Sequence, residues 1–214
     1  MQKDIASIRR DYQLASLDEA ATAPHPMDQF EHWWQEAIAS NIDEVNAFVL
    51  STVDALGAPA SRVVLLKGYT PEGFVFFTNY DSDKGKEIAE NPLVAINFFW
   101  KELERQVRIS GSIKKISTEE SDIYFHSRPL GSQVGAISSP QSKVIPNRAY
   151  LEQIVATNLE KYKAGNVPLP SHWGGYIVHP TNIEFWQGRS SRLHDRIKYN
   201  LASDGQWTKV RLAP

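Results

Sequence analysis

At residue 46 the chain changes its hydrophobic period, and this constrains its fold more than any other feature. Before that point Phe30, Trp33, Trp34, Ala37 and Ile38 fall at i, i+3, i+4, i+7 and i+8, the stripe of an amphipathic helix with a heavy aromatic face. After it, apolar runs at 47–53, 61–67 and 74–78 are separated by Ala55-Leu56-Gly57 and by Thr70-Pro71-Glu72-Gly73. These turn signals predict antiparallel hairpins. A short polar helix over 82–90 is stopped by Asn91-Pro92, and strands follow at 93–100 and 105–116. Thr118 opens a helix toward Arg128, and Pro146-Asn147 opens another that ends near Lys163. The chain then returns to strands at 173–179, 182–187, 192–199 and 206–212, with turns at Pro180 and at Ser203-Asp204-Gly205. Eight or nine short strands with helices inserted between groups of them predict an α+β protein built on an antiparallel barrel.

A length of 214 residues favours one large domain over two. The polar segment around Pro24 and Pro26 divides an N-terminal arm, 1–25, from a body, 26–214. Within the arm, residues 4–17 can form a helix with Arg9 and Tyr12 on one face, although apolar anchors are few. Cysteine is absent, which excludes disulfides, thiolate metal sites and cysteine nucleophiles, so redox chemistry must come from a cofactor. A net charge of −2 supplies no global field to attract nucleic acid or acidic membranes. No apolar run approaches the roughly 18 residues of a bilayer span, and no signal-peptide pattern is visible, so a cytoplasmic protein is expected. The sequence contains no G-x-G-x-x-G, no P-loop, no H-E-x-x-H and no G-x-S-x-G, which removes support from the corresponding enzyme classes.

Five local patterns bear on chemistry. As a strand, 189–197 would put Arg192, His194 and Arg196 on one face, where like charges invite an anionic ligand or decorate a solvated barrel exterior. Arg62 and Lys67 bracket an apolar run, and a separation of five lets both meet one ligand only through a bulge or at the strand end. Residues 82–86 open a helix whose first N–H groups can receive phosphate. Tyr124 and Arg128 lie at i and i+4 before Pro129-Leu130-Gly131-Ser132, either a phosphate clasp or an ordinary surface pair. Gln141-Ser142 offers amide and hydroxyl groups in a loop, and Trp186 reads as core or as a ring platform.

Taken together, Arg62-Val63-Val64-Leu65-Leu66-Lys67, Gln141-Ser142, the segment Asn182 to Trp186, Arg192-Leu193-His194-Asp195-Arg196 and the terminal Arg211-Leu212-Ala213-Pro214 closely resemble the pyridoxamine 5′-phosphate oxidase family. The resemblance runs from about Arg9 to the end, in order and at family spacing. It implies a Greek-key split β-barrel that binds FMN at a homodimer interface and oxidises pyridoxamine or pyridoxine 5′-phosphate to pyridoxal 5′-phosphate with O₂. Hydrogen peroxide, and ammonia from the amine, are the by-products. By motif, Arg62, Val63, Val64, Leu65, Leu66, Lys67, Phe77, Thr78, Lys84, Gln106, Gln141, Ser142, Trp186 and Arg196 are implied to hold FMN. Lys67, Tyr124, Arg128 and Ser132 are implied for the substrate phosphate, Arg192 and His194 for the pyridine ring, and Arg9 and Tyr12 for a lid. The sequence departs from the family pattern at Asp83, where relatives often carry a basic residue. The competing classes are a noncatalytic flavin or haem carrier on the same barrel and a nucleic-acid-binding barrel, which the near-neutral charge disfavours.

Overall fold

A computed structural model describes residues 4–214; the first three residues of the expected arm lie outside the described residues. The elements run α1 (Pro26–Ala39), β1 (Ala47–Val53), β2 (Pro59–Leu65), β3 (Gly68–Thr70), β4 (Gly73–Asn79), α2 (Asp83–Glu90), β5 (Leu93–Trp100), β6 (Arg105–Lys115), α3 (Thr118–Ser127), α4 (Leu130–Ser138), α5 (Arg148–Lys161), β7 (Trp173–Gln187), β8 (Asp195–Leu201) and β9 (Trp207–Leu212). The strands form one sheet in the order β2-β1-β5-β6-β7-β4-β3, with β8 and β9 continuing from β7.

Two compact units share the chain. One takes in residues up to Val49, Ala95–Gly111 and Pro180–Pro214, and the other Leu50–Val94 and Ser112–His179. In the first unit, α1 starts where the His25 ring accepts the Met27 N–H and Pro26 occupies the first turn, a position that needs no amide donor. Phe30, Trp33 and Ala37 are buried, whereas Ile38 at the end of the predicted stripe is exposed. Phe30 packs 5.6 Å from Phe98, Trp33 meets Phe185 edge-on at 5.2 Å, and Phe185 meets Tyr199 at 5.7 Å. Truncating an aromatic in such a core costs about 3–5 kcal/mol. In the second unit, β4 pairs antiparallel with β7 from Phe74↔Val178 to Asn79↔Trp173. Phe125, Val134, Val167 and Trp173 form a separate buried cluster under α3 and α4.

Four expectations need correction. The arm is not helical over 4–17: beyond a single turn at Ile5–Ser7 it runs extended. Its amides are taken by carboxylates of other elements, those of Gln13 and Leu14 by Glu104 at 2.9 and 3.1 Å and that of Leu17 by Asp195 at 3.0 Å. Pro180 does not turn the chain. It falls between the ladder of β7 with β4, which ends at Val178, and the ladder with β8, which begins at Asn182, so its missing N–H interrupts neither. The stretch 192–199 is not a strand from its start, because Ser191 and Arg192 adopt φ of 56° and 62° and β8 begins only at Asp195. Arg192, His194 and Arg196 therefore do not share a strand face. Finally, α3 stops one residue short of Arg128, so Tyr124 and Arg128 are not an i, i+4 pair within one helix, and a further helix, α4, follows at Leu130–Ser138 where none was expected.

Candidate active site

The second unit contains a cavity of about 810 Å³. β2 ends at Leu65, and the Lys67 N–H then donates to the Val75 carbonyl at 2.8 Å. This is the strand-end arrangement that lets residues five apart meet one space, and Arg62 and Lys67 both line it. Val63, Val64, Leu65, Phe77, Thr78, Lys84, Tyr124, Arg128, Ser132, Gln141 and Ser142 line it as well. Leu66 does not; its side chain is in the core. Sequence reasoning missed Asn79, Gly135, Ala136, Ser139 and Trp173 on the wall, three of them on or beside the unpredicted α4.

Four cations and a single carboxylate, Asp83, line this cavity among the described residues. The Arg62 guanidinium is held by Glu87 at 2.8 Å and by the buried Thr52 hydroxyl. Among the described residues Lys84 hydrogen-bonds only to neutral groups, Ser82 Oγ at 3.2 Å and Gln141 Oε1 at 3.3 Å. Burial, and then the neighbouring Arg62 charge, push its ammonium below the ordinary lysine pKa. Ser82 caps α2, accepting from the Gly85 N–H, and Ser142 Oγ accepts from the Asp83 N–H at 3.2 Å. Arg128 follows α3, donates Nη2 to the Ser132 carbonyl at 3.0 Å and leaves Nη1 buried without a partner. Burial lowers its pKa too. Desolvated cations with unfilled donors favour an anion that carries several acceptors, and a cavity of this volume suits a small-molecule ligand.

The first unit holds a second cavity of about 550 Å³, lined by Arg9, Arg10, Tyr12, Arg189, Arg192 and His194 among others. Tyr12 meets Trp186 edge-on at 5.9 Å, and Trp186 lies 4.6 Å from the His194 ring, so Trp186 serves as a half-buried platform. The Arg189 N–H donates to His194 Nδ1 at 3.1 Å, which leaves the proton of the neutral imidazole on Nε2. Burial, then the Arg192 charge, lower the His194 pKa and favour that neutral form. The Arg192 guanidinium has no ion-pair partner among the described residues. Arg196 is different: it pairs with Trp186 across the ladder, and its guanidinium grips both oxygens of the buried Glu184 at 2.9 and 3.1 Å. Gln106 lies half-buried on β6.

A family model described as pyridoxamine 5′-phosphate oxidase matches residues 34–161. The chain belongs to the pyridoxamine 5′-phosphate oxidase family. A second model, described as the pyridoxine 5′-phosphate oxidase C-terminal dimerisation region, matches residues 173–214. Family members named pyridoxine/pyridoxamine 5′-phosphate oxidase include one from Cupriavidus necator, 52% identical over 210 residues and covering 98% of this chain and 99% of its own. Another, from a Nostoc species, is 50% identical over 214 residues with full coverage of both chains. Among solved structures, PhzG from Burkholderia lata in complex with tetrahydrophenazine-1-carboxylic acid superposes with a TM-score of 0.89 at 25% identity, over 96% of this chain and 100% of its own. The α+β split-barrel fold of the oxidase family is therefore the fold of this chain, and as a member of the family it is an oxidoreductase. Among the described residues no helix is long and apolar enough to cross a membrane.

Proposed function

We propose that this protein is an FMN-dependent oxidase that converts pyridoxamine 5′-phosphate and pyridoxine 5′-phosphate to pyridoxal 5′-phosphate with O₂, releasing hydrogen peroxide, and ammonia from the amine. The observation that carries the reading is the cation-walled cavity, in which, among the described residues, Lys84 hydrogen-bonds to no carboxylate and the buried Arg128 Nη1 has no hydrogen-bond partner. Names shared by relatives at about half identity over the full chain support the same reading.

Arg62 to Leu65, Lys67, Phe77, Thr78, Lys84, Gln106, Gln141, Ser142, Trp186 and Arg196 would hold FMN, which when bound supplies the two-electron acceptor that a cysteine-free chain lacks. Lys67, Tyr124, Arg128 and Ser132 take the substrate phosphate; anchoring that remote end spends binding energy on orienting the carbon to be oxidised. His194 presents its Nε2–H to a ring substituent while Arg192 offers an unpaired fork to the ring. Arg9 and Tyr12 belong to the arm, 1–25, read here as a lid over one FMN-binding domain, 26–214. The reading includes a homodimer with FMN at its interface and a cytoplasmic setting. The family description of residues 173–214 as a dimerisation region favours the dimer.

The test is to load the purified protein with FMN, add pyridoxamine 5′-phosphate in air, and follow pyridoxal 5′-phosphate and peroxide together. Both should appear in equal amounts. A chromophore bound without oxygen consumption would point to a carrier, and no flavin binding would exclude the whole reading.

A further inference from the structure

Trp173, the first residue of β7, is 8% exposed and touches three residues given roles above. Its indole lies 5.5 Å from the Phe77 ring at 15° and 6.2 Å from Tyr124 at 7°, while Phe77 and Tyr124 stack at 3.8 Å. The three rings are thus nearly parallel. Phe125 meets the indole from the side at 5.2 Å and 68°, which fixes its plane. Over the ring sits the Arg128 guanidinium, with Cζ 4.7 Å from the centroid.

Arg128 lies beyond the end of α3, where no following helical turn restrains its side chain. Three contacts do so instead: the indole face at 4.7 Å, the more distant Phe125 ring at 5.8 Å and the Ser132 carbonyl. None is a carboxylate. A carboxylate would hold the guanidinium by neutralising it and occupying its fork, as Glu184 does for Arg196. An aromatic face holds the cation through the ring quadrupole and leaves the in-plane N–H donors free. One of those donors, Nη1, is buried without a partner.

We propose that Trp173 is a positioning residue: it holds Arg128 in place with its charge uncompensated and Nη1 unfilled, and so sets the preference for phosphorylated over unphosphorylated substrate. The proposal rests on the functional reading above and deepens it. If Trp173 were only a core aromatic, its loss would affect both kinds of substrate alike.

The experiment compares wild type, Trp173→Leu and Trp173→Phe, all FMN-loaded, with pyridoxamine 5′-phosphate and with pyridoxamine. Trp173→Leu should raise KM for the phosphorylated amine about tenfold, the scale of a lost desolvated cation–π contact. kcat for the phosphorylated amine should fall as well, because the anchored phosphate helps to orient the reacting carbon, and the loss in kcat/KM should be several-fold greater for pyridoxamine 5′-phosphate than for pyridoxamine. Trp173→Phe keeps a ring face and should recover most of the loss, to within about threefold. In parallel, inorganic phosphate should raise the melting temperature of FMN-loaded wild type and Trp173→Phe more than that of Trp173→Leu. Equal losses with both amines, or an unchanged KM for the phosphorylated one, would overturn the proposal. Should Trp173→Leu not fold, the same substrate comparison on Trp173→Phe decides, since a KM rise confined to the phosphorylated amine is expected there as well. If wild type oxidises neither amine, the functional reading fails, and phosphate protection still decides the role of Trp173.

Discussion

The Lys84 ammonium lies 3.3 Å from Gln141 Oε1, so one buried cation ties the start of α2 to the loop after α4. A neutral amide orients the ammonium without consuming its charge. Replacing Lys84 by Met should therefore keep the fold and weaken FMN binding about 10- to 100-fold, the range for a lost charge-assisted hydrogen bond. Titration of apoprotein with FMN, read by quenching of flavin fluorescence, measures this.

Arg192 has a left-handed backbone and, among the described residues, no ion pair, and it lines the cavity of the first unit rather than that of the second. Arg192→Leu should lower kcat/KM for pyridoxamine 5′-phosphate about 10- to 100-fold, the loss of one charged contact to substrate, and leave the FMN dissociation constant within a factor of about three. Unchanged turnover would remove Arg192 from the site.

The arm carries its own pH dependence. Glu19 Oε1 and Oε2 accept from Arg211 at 2.5 and 2.6 Å, and this pairing first of all lowers the Glu19 pKa from 4.5 to about 2. Burial alone would raise the Asp195 pKa, but the Leu17 N–H and Arg211 bring it below the usual carboxylate value. A depressed carboxylate pKa stabilises the attached arm fully above the unfolded value and loses that contribution as pH falls. The arm should accordingly stay bound above about pH 4.5 and loosen progressively toward pH 2. Hydrogen exchange at Leu17 across that window checks it, and Arg211→Met should remove most of the pH dependence.

Gly188 gives the arm its close approach. A Cβ built there would come 2.6 Å from Tyr12 Cδ2, inside any tolerated contact. Gly188→Ala should push Tyr12 off Trp186 and speed tryptic cleavage at the already exposed Arg9 and Arg10, while the global melting temperature moves only by the few degrees expected of a loop contact. Wild-type cleavage rates in the variant would show that the ring contact does not hold the arm.

Much of this was legible in the sequence because alternation and turn chemistry act locally. β1 and β5 fall on the predicted residues, and Arg62 and Lys67 meet one cavity at a strand end, one of the two arrangements in which their spacing allowed it. What escaped depends on partners far away in the chain. The arm is extended because Glu104 and Asp195 take its amides, and no local pattern announces that. The first turn of α4 carries Gly131, and Gly135 sits further along it, so helical propensity there is poor and packing against α5, including Asn158 to Ser138 at 2.9 Å, decides. The break before β8 rests on two positive φ values at non-glycine residues, which propensity does not favour. The roles in the site came from resemblance; the geometry adds which cations are already paired, Arg62 and Arg196, and which are not, Lys84 and Arg128.

On the proposed function, the cation-walled cavity binds FMN in a protein that oxidises B6 vitamer phosphates. The most direct measurement is anaerobic mixing of FMN-loaded protein with pyridoxamine 5′-phosphate, monitored by the visible absorption of the oxidised flavin. The expected result is loss of that band with one equivalent of pyridoxal 5′-phosphate formed per flavin, and its return when O₂ is admitted. A band that persists under saturating pyridoxamine 5′-phosphate would contradict the claim.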